Sequence, residues 1–264
     1  MLRAEGLRFG YGAEVVLDGV GLEVGRGELV GLVGPNGSGK TTLLRVISGV
    51  LRASAGRVSV DGRDVVDLKP GDRARLVSVV PQNPQLPDGF TVMDLVLIAR
   101  NSHLKLLQWE GRGDLEAAKR AMEATSTLGL ADRSLGAISG GERQRAVVAM
   151  ALAQDTPVML LDEPTSNLDL AHQTGIMDLV VRLMEERGTA VLVAMHDLTL
   201  AAQYCDRLIM LSEGRCYAAG PPSEVLTAEN IEAVYGTEVY LVPHPLGGTP
   251  VVLPARGAVR GNYR

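Results

Sequence analysis

The chain is short of cysteine, of lysine and of long apolar runs, and each shortage narrows what it does. Its two cysteines, Cys205 and Cys216, are too few for a disulfide framework and lie too far apart for a C-x-x-C metal pair, which fits a reducing compartment. Arginine outnumbers lysine 22 to 4, read as a coding bias, and the formal net charge is −5. That balance argues against a dedicated nucleic-acid binder, which carries a basic domain, and no nucleic-acid partner is expected. The longest apolar stretch, Ala146 to Ala153, falls far short of the roughly 18 residues that span a bilayer. No charged-then-apolar leader pattern opens the chain. The expectation is therefore a protein of the cytosol or of the cytoplasmic face of a membrane, attached peripherally. What is present, 264 residues with 46% hydrophobic and 22% charged, suffices for one large domain or a core with a smaller lobe.

The most telling segment is Gly34-Pro35-Asn36-Gly37-Ser38-Gly39-Lys40-Thr41-Thr42, preceded by the short apolar strand Glu28 to Val33. Glycines at 34, 37 and 39 let the backbone bend and come close, so that its N–H groups point at phosphate oxygens which side chains would crowd away. Lys40 then reaches the β- and γ-phosphates and Thr41 holds Mg²⁺, while the helix opening near Lys40 turns its positive dipole end toward the anion. The plainer alternative is a glycine-rich strand-to-helix turn without a ligand. The full pattern in a strand-loop-helix setting favours nucleotide binding.

Around this segment the chain alternates apolar and polar residues from 1 to 27, which suits half-buried antiparallel strands. Val58 to Val60, Asp61-Gly62 and Arg63 to Val65 read as a hairpin. A strand from Leu76 to Val80 and a turn at Pro81 lead into a mostly helical middle from about Thr91 to Gly129, with Leu115, Ala118, Met122 and Thr125 on one face. Buried strands and helices then alternate: Val158 to Leu161, a helix from about Leu170 to Arg187 closed by Gly188, Ala190 to Met195, a further helix, and Leu208 to Leu211. Such alternation implies an α/β fold with a mainly parallel sheet sandwiched by helices. The tail from 241 to 264, rich in proline and glycine, reads as irregular.

The apolar strand Val158 to Leu161 ends in Asp162 and Glu163, and ligands of a parallel sheet sit beyond the carboxyl ends of its strands. Acid thus arrives where the first loop brings phosphate. Asp162 suits the Mg²⁺ shell opposite Thr41, and Glu163 suits the orientation or deprotonation of an attacking water. Ser139-Gly140-Gly141-Glu142 precedes another apolar helix and reads as a capping box. Its two glycines also expose backbone donors at a positive helix end, a second anion site without a phosphate nearby in sequence.

These elements in this order resemble the nucleotide-binding domain of the ATP-binding cassette (ABC) transporters. The likeness runs from about Leu2 to about Gly220: the phosphate loop, Gln82, Ser139 to Gln144, Asp162-Glu163-Pro164-Thr165, Ser166-Asn167-Leu168-Asp169 and His196-Asp197. It implies the P-loop ABC ATPase fold over residues 1–240, with an antiparallel β subdomain and a helical subdomain at about 84–154. It implies ATP and Mg²⁺ as ligands, with Glu163, His196, Gln82 and Lys40 in the catalytic set and Thr41, Gln82 and Asp162 toward the metal. Tyr11 matches the ring that stacks on adenine, with an exposed turn tyrosine as the bland alternative. Ser139, Gly140, Gly141 and Glu142 match the loop that one subunit lays over the γ-phosphate held by another. Asp169 matches an acid linking the subunits, and equally suits the N-cap of the following helix. Ile138 stands where the family usually has leucine, a similar apolar residue.

The resemblance further implies a homodimer with two composite sites, separate transmembrane permease subunits and, through them, a substrate-binding protein. Residues 84–103, Gly220 to Leu226 and Val234-Tyr235-Gly236 are similar to the importers of metal chelates: iron-siderophores, haem or cobalamin. Leu86, Phe90 and Met93 are either core or the lining of a cleft for a permease helix. The alternatives are an importer of another class, such as one for metal ions, and a soluble ABC ATPase of DNA repair or translation. The latter usually has long coiled coils, zinc sites or tandem cassettes, and none appears in this sequence.

Overall fold

The structure, a computed structural model, describes residues 1–82, 84–104, 109–166 and 168–255. Asn167 and the end of the tail, 256–264, lie outside the described residues. The strongly alternating N-terminal segments form β1 (Leu2–Tyr11) and β2 (Glu14–Val24), joined by a two-residue turn at Gly12-Ala13. The apolar β3 (Leu29–Val33) follows and leads through the glycine loop into α1 (Lys40–Ile47). Next come β4 (Ala55–Val60), β5 (Arg63–Asp64), α2 (Pro70–Ala74) and β6 (Val77–Val80). Three helices, α3 (Val92–Ile98), α4 (Arg112–Ala124) and α5 (Gly140–Ala153), occupy the chain between β6 and β7 (Val158–Asp162). After them run α6 (Leu170–Arg187), β8 (Ala190–Ala194), α7 (Leu198–Tyr204), β9 (Arg207–Ser212) and β10 (Arg215–Gly220). The chain closes with α8 (Pro222–Val225), α9 (Ala228–Tyr235), β11 (Val239–Pro243) and β12 (Pro250–Pro254).

The principal sheet has six strands in the order β10-β9-β3-β8-β7-β6, parallel throughout except for the antiparallel edge strand β10. A second, antiparallel sheet has the order β2-β1-β4-β5. Side-chain alternation divides the parallel strands between two apolar cores. Leu29, Val33, Leu161, Val193 and Met210 face the core built with α3 to α9. Val30, Leu32, Leu160, Leu192 and Leu211 face the one shared with α1 and the antiparallel sheet. Each fully buried leucine or valine contributes about 1.5–3 kcal/mol relative to exposure. Since both faces are covered, these strands read as unbroken apolar runs, as the sequence shows.

Two expectations need correction. The tail is not irregular through 241–254: β11 and β12 form an antiparallel hairpin with Val239 opposite Pro254 and Pro243 opposite Pro250. Prolines misled the reading because they occupy the ends of a ribbon whose strands pair only with each other, where a missing N–H removes no interior ladder bond. On α4, Ala118, Met122 and Thr125 are buried as the helical period requires, but Leu115 is exposed; Ala121 takes the fourth buried position instead. Leu86 and Met93 pack against the core, whereas Phe90 is exposed. Among the described residues no helix is long and apolar enough to cross a membrane.

Candidate functional site

The carboxyl ends of β3, β7 and β8 converge, and each carries a polar segment at its end. After β3 the chain turns through Gly34, Gly37 and Gly39, all with positive φ. Gly34 is the most constrained of them. At φ +149, an added Cβ would stand 2.3 Å from the Leu211 carbonyl oxygen and 2.7 Å from Ser38 Oγ. The loop is therefore drawn tight against β9, and its curvature wraps around Lys40. The Lys40 ammonium donates to the carbonyls of Gly34 at 2.8 Å and Pro35 at 3.1 Å. Burial lowers its pKa, while the nearby Glu163 and Asp162 carboxylates oppose that change.

Two clefts meet at Thr41. One, of about 380 Å³, is lined by Tyr11, Glu14, Val16, Asn36, Gly37, Gly39, Lys40, Thr41, Thr42 and Glu163. Tyr11 is half exposed there, its ring set edge-on to Phe9 at 4.9 Å, so a face is free for a flat ligand. The other, of about 350 Å³, brings Thr41 together with Asp162, Gln82, Pro81, Arg45 and Val50. Thr41 donates its hydroxyl proton to Asp162 at 3.0 Å. Burial raises the Asp162 carboxyl above its ordinary pKa, the Thr41 hydrogen bond pulls it down, and the Glu163 charge adds to the rise.

Glu163 occupies the junction. Its φ is +51, a left-handed conformation rare outside glycine, and its N–H is tied to the Ala194 carbonyl at 3.1 Å. One carboxylate oxygen accepts from Gln82 Nε2 and the other pairs with His196 Nε2. Gln82, Glu163 and His196 come from the ends of three neighbouring parallel strands and meet here as a linked trio.

The arrangement fits a phosphate and a hard cation. The Ser38 hydroxyl is buried inside the glycine loop with no hydrogen-bond partner, as expected of a group that completes its bonding on an anion. The oxygens of Thr41, Asp162 and Gln82 share one cleft, an all-oxygen donor set of the kind Mg²⁺ takes.

The other predicted residues form a separate group. Ser139 caps α5 and makes the full capping box: its hydroxyl accepts from the Glu142 N–H at 3.3 Å, and Glu142 Oε2 accepts from the Ser139 N–H at 2.8 Å. The Ser139 N–H and the Ser139 hydroxyl, both donating to Glu142 Oε2, hold the Glu142 carboxyl below its usual range. Gly140 leaves open space above the helix end, while a Cβ on Gly141 would strike the His172 ring at 2.3 Å. His172 in turn pairs through Nδ1 with Asp169, 2.7 Å away, which caps α6. Asp169 is thus an N-cap whatever else it does. Among the described residues, no hydrogen bond or ion pair joins this group to the phosphate loop.

Sequence reading passed over Glu14 and Val16 in the nucleotide-sized cleft. The two-residue turn after Tyr11 pairs Tyr11 with Glu14, and counting by two along β2 then puts Val16 on the same face. The left-handed Glu163 and the close Gly141–His172 packing left no trace in the residue pattern.

The family model described as "ABC transporter" matches residues 17–166. The ferric enterobactin transport ATP-binding protein of Escherichia coli is 41% identical, over 96% of this chain and 93% of that protein. The hemin import ATP-binding protein of Gloeobacter violaceus is also 41% identical, over 98% of this chain and 95% of that protein. Among solved structures, an inward-facing putative metal-chelate type ABC transporter superposes with a TM-score of 0.85 at 26% identity, covering 97% of this chain and 98% of that one. A dimeric post-hydrolysis ATP-binding cassette bound to ADP and Pi superposes with a TM-score of 0.74 at 28% identity, covering 84% and 99%.

Proposed function

The chain belongs to the ABC transporter family, and we propose that it is the ATP-hydrolysing subunit that drives uptake of an iron chelate, a siderophore complex or haem, through separate permease subunits. The observation that carries the reading is the trio Gln82–Glu163–His196 beside the Lys40 loop. It supplies a carboxylate base, two flanking donors and a cation where a triphosphate ends.

Tyr11 would stack on adenine, with the loop from Gly34 to Thr42 around the phosphates. Lys40 exchanges its two carbonyl partners for phosphate oxygens when the nucleotide arrives. Thr41, Asp162 and Gln82 would hold Mg²⁺, whose positive charge would offset that of the phosphates. Each Glu163 oxygen takes one neighbour, Gln82 or His196, and keeps acceptor capacity for a water. Glu163 then takes the proton of that water as its oxygen attacks the γ-phosphorus, and ADP leaves with the bond to the γ-phosphoryl broken. His196 and Lys40 donate to the charge that develops.

The Ser139–Glu142 group supports a composite site. Among the described residues only its own Glu142 carboxylate serves this exposed glycine-rich helix end, and a second copy related by a two-fold axis would offer it a phosphate. ATP can join two copies where ADP cannot, and only such a difference in affinity can move a partner. Residues 84–154 would form the helical subdomain. Of Leu86, Phe90 and Met93, the exposed Phe90 is a suitable contact for a permease helix at the cytoplasmic face of the membrane. A substrate-binding protein would act only through the permease.

Purifying the chain from solubilised native membranes tests this. Permease subunits should accompany it, and an iron chelate should raise ATP turnover of the reconstituted complex. Turnover that ignores every chelate but responds to a bare metal ion would move the chain to another importer class.

Asp162→Asn should separate stability from function. A carboxyl whose folded-state pKa is raised favours the fold below its ordinary pKa, and that contribution is lost as pH rises through the raised value. At pH 7 without nucleotide or metal, the charged carboxyl therefore weakens the fold. The variant keeps an oxygen for the Thr41 hydroxyl, so it should melt above the parent at pH 7, by a margin that vanishes in acid below the ordinary aspartate range. Its magnesium-dependent turnover should fall by about 100-fold or more. Calorimetry across pH and a steady-state assay check both, and a variant that melts lower at pH 7 would refute the electrostatic reading.

A further inference from the structure

Four acids stand on β1 and β2, and three of them are paired with arginine. Glu5 lies 3.7 Å and Glu23 2.7 Å from Arg3, and Asp18 meets both Arg8, at 3.2 Å, and Arg215. Glu14 is the exception: among the described residues its carboxylate makes no hydrogen bond or ion pair. It lines the cleft of Tyr11, Val16 and the phosphate loop instead. The other carboxylate of that cleft, Glu163, is held by Gln82 and His196. A carboxylate without a partner repels a polyphosphate laid beside it, so Glu14 suits this cleft through a part of the ligand that donates hydrogen bonds.

The fold fixes where Glu14 stands. It is the cross-strand partner of Tyr11, so carboxylate and ring are neighbours at the end of the hairpin. Two residues further on, Val16 is wedged in place. A Cβ on Gly214 would stand 2.2 Å from its carbonyl oxygen, and one on Gly39 would stand 3.1 Å from the same atom. The Asp18 N–H donates to the Gly214 carbonyl at 2.9 Å and secures the strand there. Glu14 is thus about 7 Å along β2 from the residue that abuts the phosphate loop. In a nucleotide laid from Tyr11 to Lys40, the sugar falls between base and phosphates. Its adjacent hydroxyls offer two donors to the two oxygens of a carboxylate, which only accepts. The adenine amine also donates, but it lies on the edge of the base remote from the sugar and the loop.

We propose that Glu14 reads the sugar of the bound nucleotide: its carboxylate accepts from the ribose hydroxyls and so selects a ribonucleotide. Glu14 gives up no partner when the ligand arrives, so these bonds add to nucleotide affinity and nothing to the stability of the free chain. The proposal rests on the nucleotide-site reading of Tyr11 and residues 34–42.

Glu14→Ala tests this in the full chain with three ligands: ADP, dideoxy-ADP, which lacks both sugar hydroxyls, and inosine diphosphate, in which a carbonyl replaces the adenine amine. The parent should bind ADP about tenfold more tightly than dideoxy-ADP, the effect of hydrogen bonds to a charged but solvated acceptor. The variant should bind the two within about twofold of each other, through loss of ADP affinity alone. Its melting temperature without nucleotide should stay within about 2 °C of the parent's, because the deleted carboxylate had no partner there. A preference for ADP over dideoxy-ADP that survives in Glu14→Ala would overturn the proposal. So would a variant that binds both more tightly by the same factor, the mark of a carboxylate that only repels phosphate. Loss of discrimination against inosine diphosphate in place of dideoxy-ADP would assign Glu14 to the base and overturn it too. Lys40→Ala, assayed alongside, tells two failures apart. If it abolishes ADP binding while Glu14→Ala keeps the parent's sugar preference, only the role of Glu14 is lost. If it binds ADP like the parent, the nucleotide-site reading falls and takes this inference with it.

Discussion

Glu163→Gln should cut ATP turnover by at least about 100-fold while ATP affinity stays within about twofold of the parent. The amide has nearly the shape of the carboxylate and can keep both neighbours, accepting from one of Gln82 and His196 and donating to the other. What it loses is basicity: it cannot hold the proton that the attacking water must release. Since binding uses Lys40 and the glycine loop instead, the ATP-loaded state persists. If two copies are bridged by the γ-phosphate, the variant with ATP and Mg²⁺ should run at twice the mass in light scattering, and with ADP it should not. A variant turning over at the parent rate would remove Glu163 from the role of base. A variant that binds ATP yet stays monomeric, even with permease subunits present, would remove the composite site.

Gly34→Ala should unfold the chain at a temperature about 6–12 °C lower and abolish nucleotide binding. The new methyl carbon would stand 2.3 Å from the Leu211 carbonyl oxygen, which belongs to a strand paired on both sides and cannot retreat. Backbone strain at φ +149 and the forced overlap cost about 3 kcal/mol or more together. A chain of this size loses roughly 2–4 °C for each kcal/mol. Any relief must come from shifting Gly34 itself, which moves the carbonyl that holds Lys40 and the hydroxyl of Ser38. Thermal unfolding and a nucleotide titration read the two effects. A variant within about 2 °C of the parent with intact binding would show that the loop is looser than its contacts imply. By contrast, Gly37 has open space around it, so an alanine there should suffer only from its positive φ.

The parallel core was legible because both faces of its strands are buried, which writes them as short apolar runs such as Val158 to Leu161. The helix from Leu170 to Arg187 was readable to the residue, since Asp169 caps one end and Gly188 adopts the left-handed turn at the other. The C-terminal hairpin was not, because its prolines sit where the ribbon tolerates them and composition cannot tell a strand end from a loop. Nor was Leu115, whose helical phase is right but which lies in the first turn of α4 and stays exposed.

Sequence alone determined the chemical inventory: a glycine loop with its lysine, an acid pair at a strand end, a capped glycine-rich helix start and a glutamine and histidine at strand termini. These follow from local rules, since turn geometry, capping and strand burial each leave their mark on neighbouring residues. Only the tertiary structure decided that Gln82, Glu163 and His196 touch, that Gly34 is wedged against Leu211, and that Ser139 to Glu142 stand apart from the site they resemble part of. Those are relations between residues far apart in the chain. They depend on strand order in the sheet and on packing distances of a few ångström, which one-dimensional periodicity does not encode.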